Sequence, residues 1–288
     1  MKPAAFNYHR PGSVDEALAM HAAGEDARYI AGGQSLVPMM SLRLAAPTDL
    51  IDLNTVGGLS GISEGKSYLR IGAMTRQEDL AASDALCTQV PVMKAVVESV
   101  GHPGTRTRGT IGGSLCHADP AAELPALLLA LDADVLVASA GGVTRRIGVE
   151  DFFGGYFETT IGDDEILTEL RIPVVSHRRM GFHEVALRSA DFAAAGSIVS
   201  AHVDPGDGAL VSIRVVAFAV GDRPQRLREV ENEIMDTEGD LGGIRSAAEL
   251  TEQLISPPHE THLSATYRRQ LAVAVVRRAI EGALGATT

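Results

Sequence analysis

The chain has 288 residues, a formal net charge of −12, and only 4% aromatic residues with no tryptophan. The acidic balance excludes the basic face that a nucleic-acid or anionic-membrane binder requires. The length suits about two ordinary domains, and their cores must be built from aliphatic side chains.

The first half of the chain alternates short helices with short strands. Ser13 and Glu16 have the spacing of a capping box, which predicts a helix that ends at Gly24. Thr75 and Glu78 repeat that spacing and predict a second helix. Hydrophobic periodicity and Gly or Pro boundaries predict the other elements, namely strands 27–31, 50–53, 134–139 and 166–172, a hairpin over 62–74, and helices 35–44, 90–100 and 121–131.

The pattern changes at the polar segment 173–179, which begins with a proline. Three strand-like runs joined by short turns follow, and they predict a three-stranded antiparallel sheet. We therefore predict a domain boundary here, with domains at 1–176 and 177–288. The predicted elements of the second domain are strands 182–188, 193–203 and 210–220 and helices 225–235, 246–255 and 265–284.

The cysteines and the apolar segments indicate a protein of the cytoplasm. Cys87 and Cys116 form no CxxC pair, so this chain alone cannot hold a zinc ribbon or an iron–sulfur cluster. The N-terminal residues lack the apolar core of a signal peptide. The longest strongly apolar run, 124–131, is far shorter than the ~20 residues that span a bilayer. We expect a cytoplasmic protein with no membrane span.

Two glycine pairs next to hydroxyl residues indicate an anion site. The first loop, 31–36, lies between a predicted strand and a predicted helix, and the second loop is 109–114. Glycine permits positive φ and close approach, so successive amides can curl around a phosphate. Together the loops favour one diphosphate held from both sides, with Arg106 or Arg108 as charge partners. Two tight turns without a ligand are the alternative.

Other signatures narrow the chemistry. No GxGxxG or GxxxxGK[ST] motif is present, which disfavours a Rossmann fold and excludes a P-loop. His102, His117, Asp119 and Glu123 lie close in sequence, but their spacing is not typical of a metal site, and we predict none. Instead, Asp119 or Glu123 could accept hydrogen bonds from ribose or ribityl hydroxyls.

The sequence lacks an obvious catalytic acid, base or nucleophile. It contains no GxSxG or HExxH motif, and the adjacent Cys116 and His117 are not placed face to face by their spacing. We therefore predict no catalytic side chain. A protein that binds a diphosphate cofactor in this way can leave the chemistry to the cofactor.

An ordered set of motifs resembles the FAD-binding medium subunit of the molybdenum hydroxylases. This family includes carbon monoxide dehydrogenase, quinoline oxidoreductase and the flavin domain of xanthine dehydrogenase. A single AGGQSL motif would be weak, but the whole set in order is specific. The matching positions are Phe6, Asn7, Tyr8, Pro11 and Ser13 and the segments 31–36, 50–53, 71–75, 106–114, 118–125, 167–173 and 188–193.

The resemblance implies an α+β fold and an FAD site. The fold is a vanillyl-alcohol-oxidase-type (PCMH-type) FAD-binding domain in two subdomains, followed by a C-terminal domain with a three-stranded antiparallel sheet and helices. In the family the two glycine loops bind the FAD pyrophosphate. Combined with the reading of Asp119 above, the predicted cofactor-binding residues are Ala31, Gly32, Gly33, Gln34, Ser35, Leu36, Thr110, Ile111, Gly112, Gly113, Ser114, Asp119, Glu123, Leu167 and Phe192.

The resemblance also implies partners and a role in electron transfer. Substrate would be hydroxylated at a molybdopterin cofactor on a large subunit, and electrons would pass through [2Fe–2S] clusters on a small subunit to FAD. The acceptor would be NAD⁺, a quinone or dioxygen, and the complex a dimer of heterotrimers. A stand-alone flavin oxidase or reductase of the same fold and a non-catalytic binding module are the alternatives.

One segment and one single residue depart from the family pattern. Residues 104–107 read Gly-Thr-Arg-Thr where the family often has Gln-Ile-Arg-Asn, and Glu184 stands where some members have Lys. Both lie at positions expected near the flavin. Because Glu appears at position 184 in relatives that act on N-heterocycles, we expect a substrate of that class.

Overall fold

The computed structural model describes residues 2–259 and 263–285. Its strands are β1 Asn7–His9, β2 Ala27–Ile30, β3 Asp49–Asp52, β4 Ile62–Glu64, β5 Tyr68–Gly72, β6 Asp134–Ser139, β7 Val143–Gly148, β8 Phe153–Gly155, β9 Glu158–Thr159, β10 Glu165–Pro173, β11 Arg178–Ala186, β12 Ala193–Val203, β13 Leu210–Phe218 and β14 Gln225–Arg226. Its helices are α1 Val14–Ala23, α2 Leu36–Ser41, α3 Gln77–Ala82, α4 Asp84–Gln89, α5 Met93–Ser99, α6 Pro103–Arg106, α7 Ile111–His117, α8 Glu123–Ala130, α9 Arg228–Asp236, α10 Leu241–Leu254 and α11 Ala265–Leu284.

The N-terminal subdomain is a small parallel sheet in the order β1-β3-β2 with α1 packed against it. Ser13 caps α1 as predicted, because its Oγ accepts the N–H of Glu16 at 3.2 Å. The Glu16 carboxylate binds the N–H of Gly12 at 2.6 Å instead of reaching back to Ser13. Ala17 and Ile51 are fully buried in the core between helix and sheet. The first glycine loop leaves this subdomain at the end of β2.

The second subdomain contains a five-stranded antiparallel sheet in the order β4-β5-β10-β6-β7. The capping box predicted at Thr75 is wrong, since Arg76 is the N-cap residue of α3 and no side chain caps it. The Thr75 hydroxyl bonds to Gly61 instead. It accepts the N–H of Gly61 at 2.9 Å and donates to the carbonyl of Gly61 at 3.2 Å. A tertiary contact has replaced the local one, and it fixes the segment on which the second glycine loop rests.

The C-terminal sheet is antiparallel, as predicted, but it has four strands in the order β11-β12-β13-β14. The fourth strand, Gln225–Arg226, occupies the first turn of the predicted helix 225–235, and α9 starts at Arg228. A two-residue edge strand carries no periodicity that a sequence could reveal. The α+β fold class is confirmed, with the sheet one strand larger than expected.

Both faces of this C-terminal sheet are buried. Alternate residues of β12, such as Ala195 and Val199, pack with α9, α10 and α11, whereas Ile198 joins the core that contains α8. All eight residues of α8 are buried. Burial on both faces explains the nearly continuous apolar sequence of β12. Helix α8 of the first domain is therefore packed directly against the second domain.

Among residues 2–259 and 263–285, no helix is both long and apolar enough to cross a membrane.

Candidate functional site

A cleft of about 940 Å³ runs past both glycine loops. The predicted cofactor-binding residues all line it except Ile111. The Ile111 side chain is fully buried in the core of the second subdomain and cannot contact a ligand in the cleft. The structure therefore brings together residues from positions 31 to 192 that the sequence singled out separately.

The backbone amides of the first loop are available to a ligand. Gly33 has φ +72°, a conformation that glycine adopts without strain. The loop is held by its carbonyls, since Gly33 O accepts from the N–H of Val37 at 3.0 Å and Gly32 O from Gln34 Nε2 at 3.1 Å. Within the described part of the chain, the amides of residues 32–36 have no hydrogen-bond acceptor. Five consecutive residues thus offer N–H groups at the cleft.

The second loop differs, because its amides are already bonded inside the protein. The N–H of Ile111 donates to Thr75 O at 3.1 Å and that of Gly112 to Ala73 O at 2.8 Å. The Thr110 hydroxyl caps α7 by accepting the N–H of Gly113 at 3.1 Å. The amide cradle predicted for this loop is therefore not free. The loop lines the cleft with Gly109, Thr110, Gly112, Gly113 and Ser114, and Ser114 adds a side-chain hydroxyl.

The two loops approach each other backbone to backbone. A Cβ added to Gly32 would lie 2.2 Å from Arg108 O and 2.8 Å from the Cα of Gly109. No side chain fits at that distance. Glycine at position 32 is therefore required by the contact between the loops.

The two candidate charge partners have different roles. Arg106 Nη1 donates to the carbonyls of Gly101 at 2.6 Å and Val100 at 3.2 Å, just beyond α5. This guanidinium is used in local structure, and the prediction of a diphosphate partner is wrong for it. Arg108 is exposed and lines a smaller cavity of about 440 Å³ that adjoins the first loop.

Glu123 is a strongly perturbed titratable group in the cleft. It is 5% exposed, in the first turn of α8. Burial raises the pKa of its carboxyl to about 8, and the nearby carboxylates of Glu184 and Asp119 act in the same direction. The carboxyl is therefore largely neutral at pH 7 and able to donate or accept a hydrogen bond. Asp119 helps to form the turn before α8, because its Oδ1 accepts the N–H of Ala121 at 2.9 Å.

The remaining predicted residues lie on the wall shared with the second half of the chain. Leu167 is buried on β10 at the start of a β-bulge. Phe192 is 71% exposed just before β12 and lines the same cleft. An exposed aromatic ring and a leucine that line the same cleft provide apolar surface for a planar ring system.

Sequence reasoning missed several cleft residues. Gln77 is 5% exposed and lines the cleft, and its Oε1 has no hydrogen-bond partner in the described structure. Tyr29 stacks on His21 with ring centroids 4.5 Å apart, and its buried hydroxyl also lacks a partner there. Phe157 lies beside the His117 ring at 5.1 Å. None of them belongs to a short motif, so no local pattern could have identified them.

The cleft fits a large dinucleotide flavin. Its volume is at the upper end of the ~300–1,000 Å³ range of ligand pockets. It combines unpaired amides for an anion, the buried polar oxygen of Gln77 and an apolar wall. No group of three metal-ligating side chains occurs in residues 2–259 and 263–285. Cys116 also lines the cleft, where it is exposed.

Comparison with known proteins agrees with this fit. A family model described as the FAD binding domain in molybdopterin dehydrogenase matches residues 4–175. A second, described as the CO dehydrogenase flavoprotein C-terminal domain, matches residues 181–283. The chain is 37% identical over 286 residues to the 6-hydroxypseudooxynicotine dehydrogenase complex subunit alpha of Paenarthrobacter nicotinovorans, covering 99% of this chain and 96% of that relative.

Solved structures show the same fold. A chain of the carbon monoxide dehydrogenase from Hydrogenophaga pseudoflava matches with a TM-score of 0.94 and 32% identity, covering 99% of both chains. A chain of quinoline 2-oxidoreductase from Pseudomonas putida 86 matches with a TM-score of 0.93 and 33% identity, again over 99% of both.

Fold and cleft thus define the flavoprotein subunit of an oxidoreductase. The chain belongs to the family of FAD-binding medium subunits of the molybdenum hydroxylases. The resemblance carried by the motifs is confirmed, and so is FAD as the cofactor of this chain.

Proposed function

We propose that this chain relays electrons through FAD between an iron–sulfur partner subunit and an external acceptor. The observation that carries the proposal is the row of unpaired amides at residues 32–36, which faces a cleft without a catalytic constellation. FAD supplies the redox chemistry when it is bound. The protein would supply binding, orientation and electrostatics.

We assign different groups of residues to different parts of FAD. The amides of 32–36 and the hydroxyls of Ser35 and Ser114 would hold the pyrophosphate, with Arg108 as the adjacent cation. Asp119 and Glu123 would bind hydroxyls, and Leu167 and Phe192 would flank the isoalloxazine. The remaining predicted residues, which are Ala31, Thr110, Ile111, Gly112 and Gly113, would shape the loops.

The partners follow from the family. A large subunit would carry the molybdopterin cofactor and a small one the [2Fe–2S] clusters, assembled as a dimer of heterotrimers in the cytoplasm. Electrons would leave FAD for NAD⁺, a quinone or dioxygen. The relatives include subunits named for dehydrogenases or hydroxylases of nicotine derivatives and of caffeine, which supports an N-heterocycle as substrate. We place the domain boundary at residues 176 and 177, in the turn between β10 and β11.

The proposal is tested by reducing the chain alone and with its partners. The purified chain should take up FAD and be bleached by dithionite, yet remain oxidised when mixed with N-heterocyclic substrates. Addition of the molybdenum and iron–sulfur subunits should then allow substrate to bleach the flavin. Bleaching by an organic substrate without partners would support a stand-alone flavin oxidase. Failure to take up FAD would support a binding module.

A further inference from the structure

A chain of side-chain hydrogen bonds connects the two glycine loops behind the cleft. Asn54 Nδ2 donates to Ala31 O of the first loop at 2.8 Å. Arg76 Nη2 donates to Asn54 Oδ1 at 2.6 Å, and Arg76 Nη1 donates to Arg108 O, next to the second loop. The Arg76 guanidinium is thus connected to both loops. It reaches the first loop through Asn54 and bonds directly to the backbone next to the second loop.

Asn54 is held in place from the first subdomain. Asp52 Oδ1 accepts its backbone N–H at 2.9 Å and its Nδ2 at 2.5 Å. The Tyr8 hydroxyl donates to the other oxygen of Asp52. Burial opposes ionisation of Asp52, but the hydrogen bonds from Tyr8 and Asn54 lower its pKa overall. The carboxylate is therefore a dependable acceptor that orients the Asn54 amide.

Arg76 is anchored from the second subdomain. Its neighbours Thr75 and Gln77 bond to the second loop, through Ile111 N–H to Thr75 O at 3.1 Å and Gln77 N–H to Gly109 O at 2.9 Å. Arg76 itself lines neither the cleft nor the smaller cavity. It is therefore placed to act on a ligand only through the loops.

We propose that Arg76 and Asn54 are positioning residues that set the spacing of the two loops and so tune affinity for the pyrophosphate of FAD. This inference rests on the proposed function, since it takes the pyrophosphate to lie between the loops. Arginine suits the task because its planar guanidinium donates in two fixed directions, which a lysine ammonium does not reproduce. We call Arg76 and Asn54 the clamp. A change in the clamp would leave Leu167 and Phe192, the proposed neighbours of the isoalloxazine, in place.

The test compares FAD with riboflavin, which has the same ring system but no pyrophosphate. In the full-length chain, Arg76→Met should weaken FAD binding by about ten- to a hundredfold, the range for loss of hydrogen bonds to a charged group. Riboflavin affinity, measured by fluorescence quenching, should stay within about twofold of the wild type. Arg76→Lys should resemble Arg76→Met. The matched control is Arg70→Met, because Arg70 pairs with Tyr68 and Glu169 away from both loops.

A double variant adds a second readout. Because both residues belong to one chain of bonds, Arg76→Met combined with Asn54→Ala should weaken FAD binding little more than either change alone. Unchanged FAD affinity in Arg76→Met, or an equal loss of FAD and riboflavin, would overturn the clamp. A wild-type chain that binds no FAD would instead reject the proposed function, and the clamp with it.

Discussion

The two glycine loops look alike in sequence but are built differently. Each pairs two glycines with a hydroxyl residue before a helix, yet the amides at 32–36 are unpaired whereas those of Ile111, Gly112 and Gly113 all donate within the protein. The second loop rests on the backbone of residues 73–77. The first loop follows strand β2 of the small parallel sheet. The Asn54 side chain holds this loop by donating a hydrogen bond to Ala31 O.

This difference shows that two motifs with similar sequences can contribute unequally to the binding of one ligand. Unpaired amides next to solvent exchange freely and gain most from a bound anion. Paired amides form a wall whose shape is already set before the ligand arrives. We therefore propose that FAD orders the first loop and is held against the second.

The largest effect is expected at the contact between the loops. In Gly32→Ala, the new Cβ would meet Arg108 O at 2.2 Å, and both loops would have to separate. Overpacking of up to about 3 kcal/mol corresponds to roughly a hundredfold weaker FAD binding. Titration of the apo-protein with FAD measures it. Gly104→Ala is the control, because its added carbon has no atom within 4 Å; equal affinities in both variants would contradict the contact.

Amide hydrogen exchange would measure directly how much FAD protects each of the two loops. With FAD at a hundred times its dissociation constant, exchange at residues 32–36 should slow by about a hundredfold, since opening must await release of the ligand. Amides 111–114 should already be protected without FAD and should change little. Equal gains of protection in both loops would show that the second loop is also ordered by the ligand.

Because the amides of the second loop are already paired, we expect polar contacts to FAD on that side of the cleft to come from side chains. Glu123 gives the sharpest test of this expectation. Glu123→Ala should weaken FAD binding by about five- to a hundredfold, because a buried polar partner left without its hydrogen bond costs about 1–3 kcal/mol. Glu158→Ala, on the exposed strand β9, is the control.

Glu123→Ala also distinguishes a role in ligand binding from an effect on the end of helix α8. Above about pH 8, where the carboxyl of Glu123 ionises, its charge in the first turn of α8 would contribute about 0.3–1 kcal/mol to stability through the helix dipole. A lower melting temperature of the apo form with unchanged FAD affinity would therefore assign Glu123 to the helix end and remove it from the site.

The smallest effect is expected at the cap of the second loop. Thr110→Val removes the acceptor of the Gly113 N–H and should cost about 1 kcal/mol of stability, seen as a lower melting temperature of the apo-protein. FAD affinity should change little, because the wall keeps its backbone bonds to residues 73–77. Thr107→Val, whose hydroxyl binds Gly104 O outside α7, is the control. A loss of FAD affinity without a loss of stability would mean that Thr110 touches the cofactor.

Local pattern predicted much of the fold correctly. The Ser13 cap, the hairpin around residue 65, strand β12 and helix α11 follow from capping residues, turn residues and periodicity, all of which act within a few positions of the chain. The same local reasoning was wrong at Thr75, where Gly61 competes for the hydroxyl. It also missed the strand at Gln225–Arg226, which only a neighbouring strand defines.

The sequence by itself determined the family and the cofactor through an ordered set of motifs, and it singled out many of the segments that line the cleft. Glycine pairs and hydroxyls stand out in a sequence because binding a phosphate favours residues of those types. Only the tertiary structure decided which of those groups are free to bind. Whether an amide is unpaired, as at residues 32–36, or a guanidinium is already used, as in Arg106, depends on acceptors that other parts of the chain bring within 3 Å or so. Spacing along the chain carries no information about such partners, since they are set by packing.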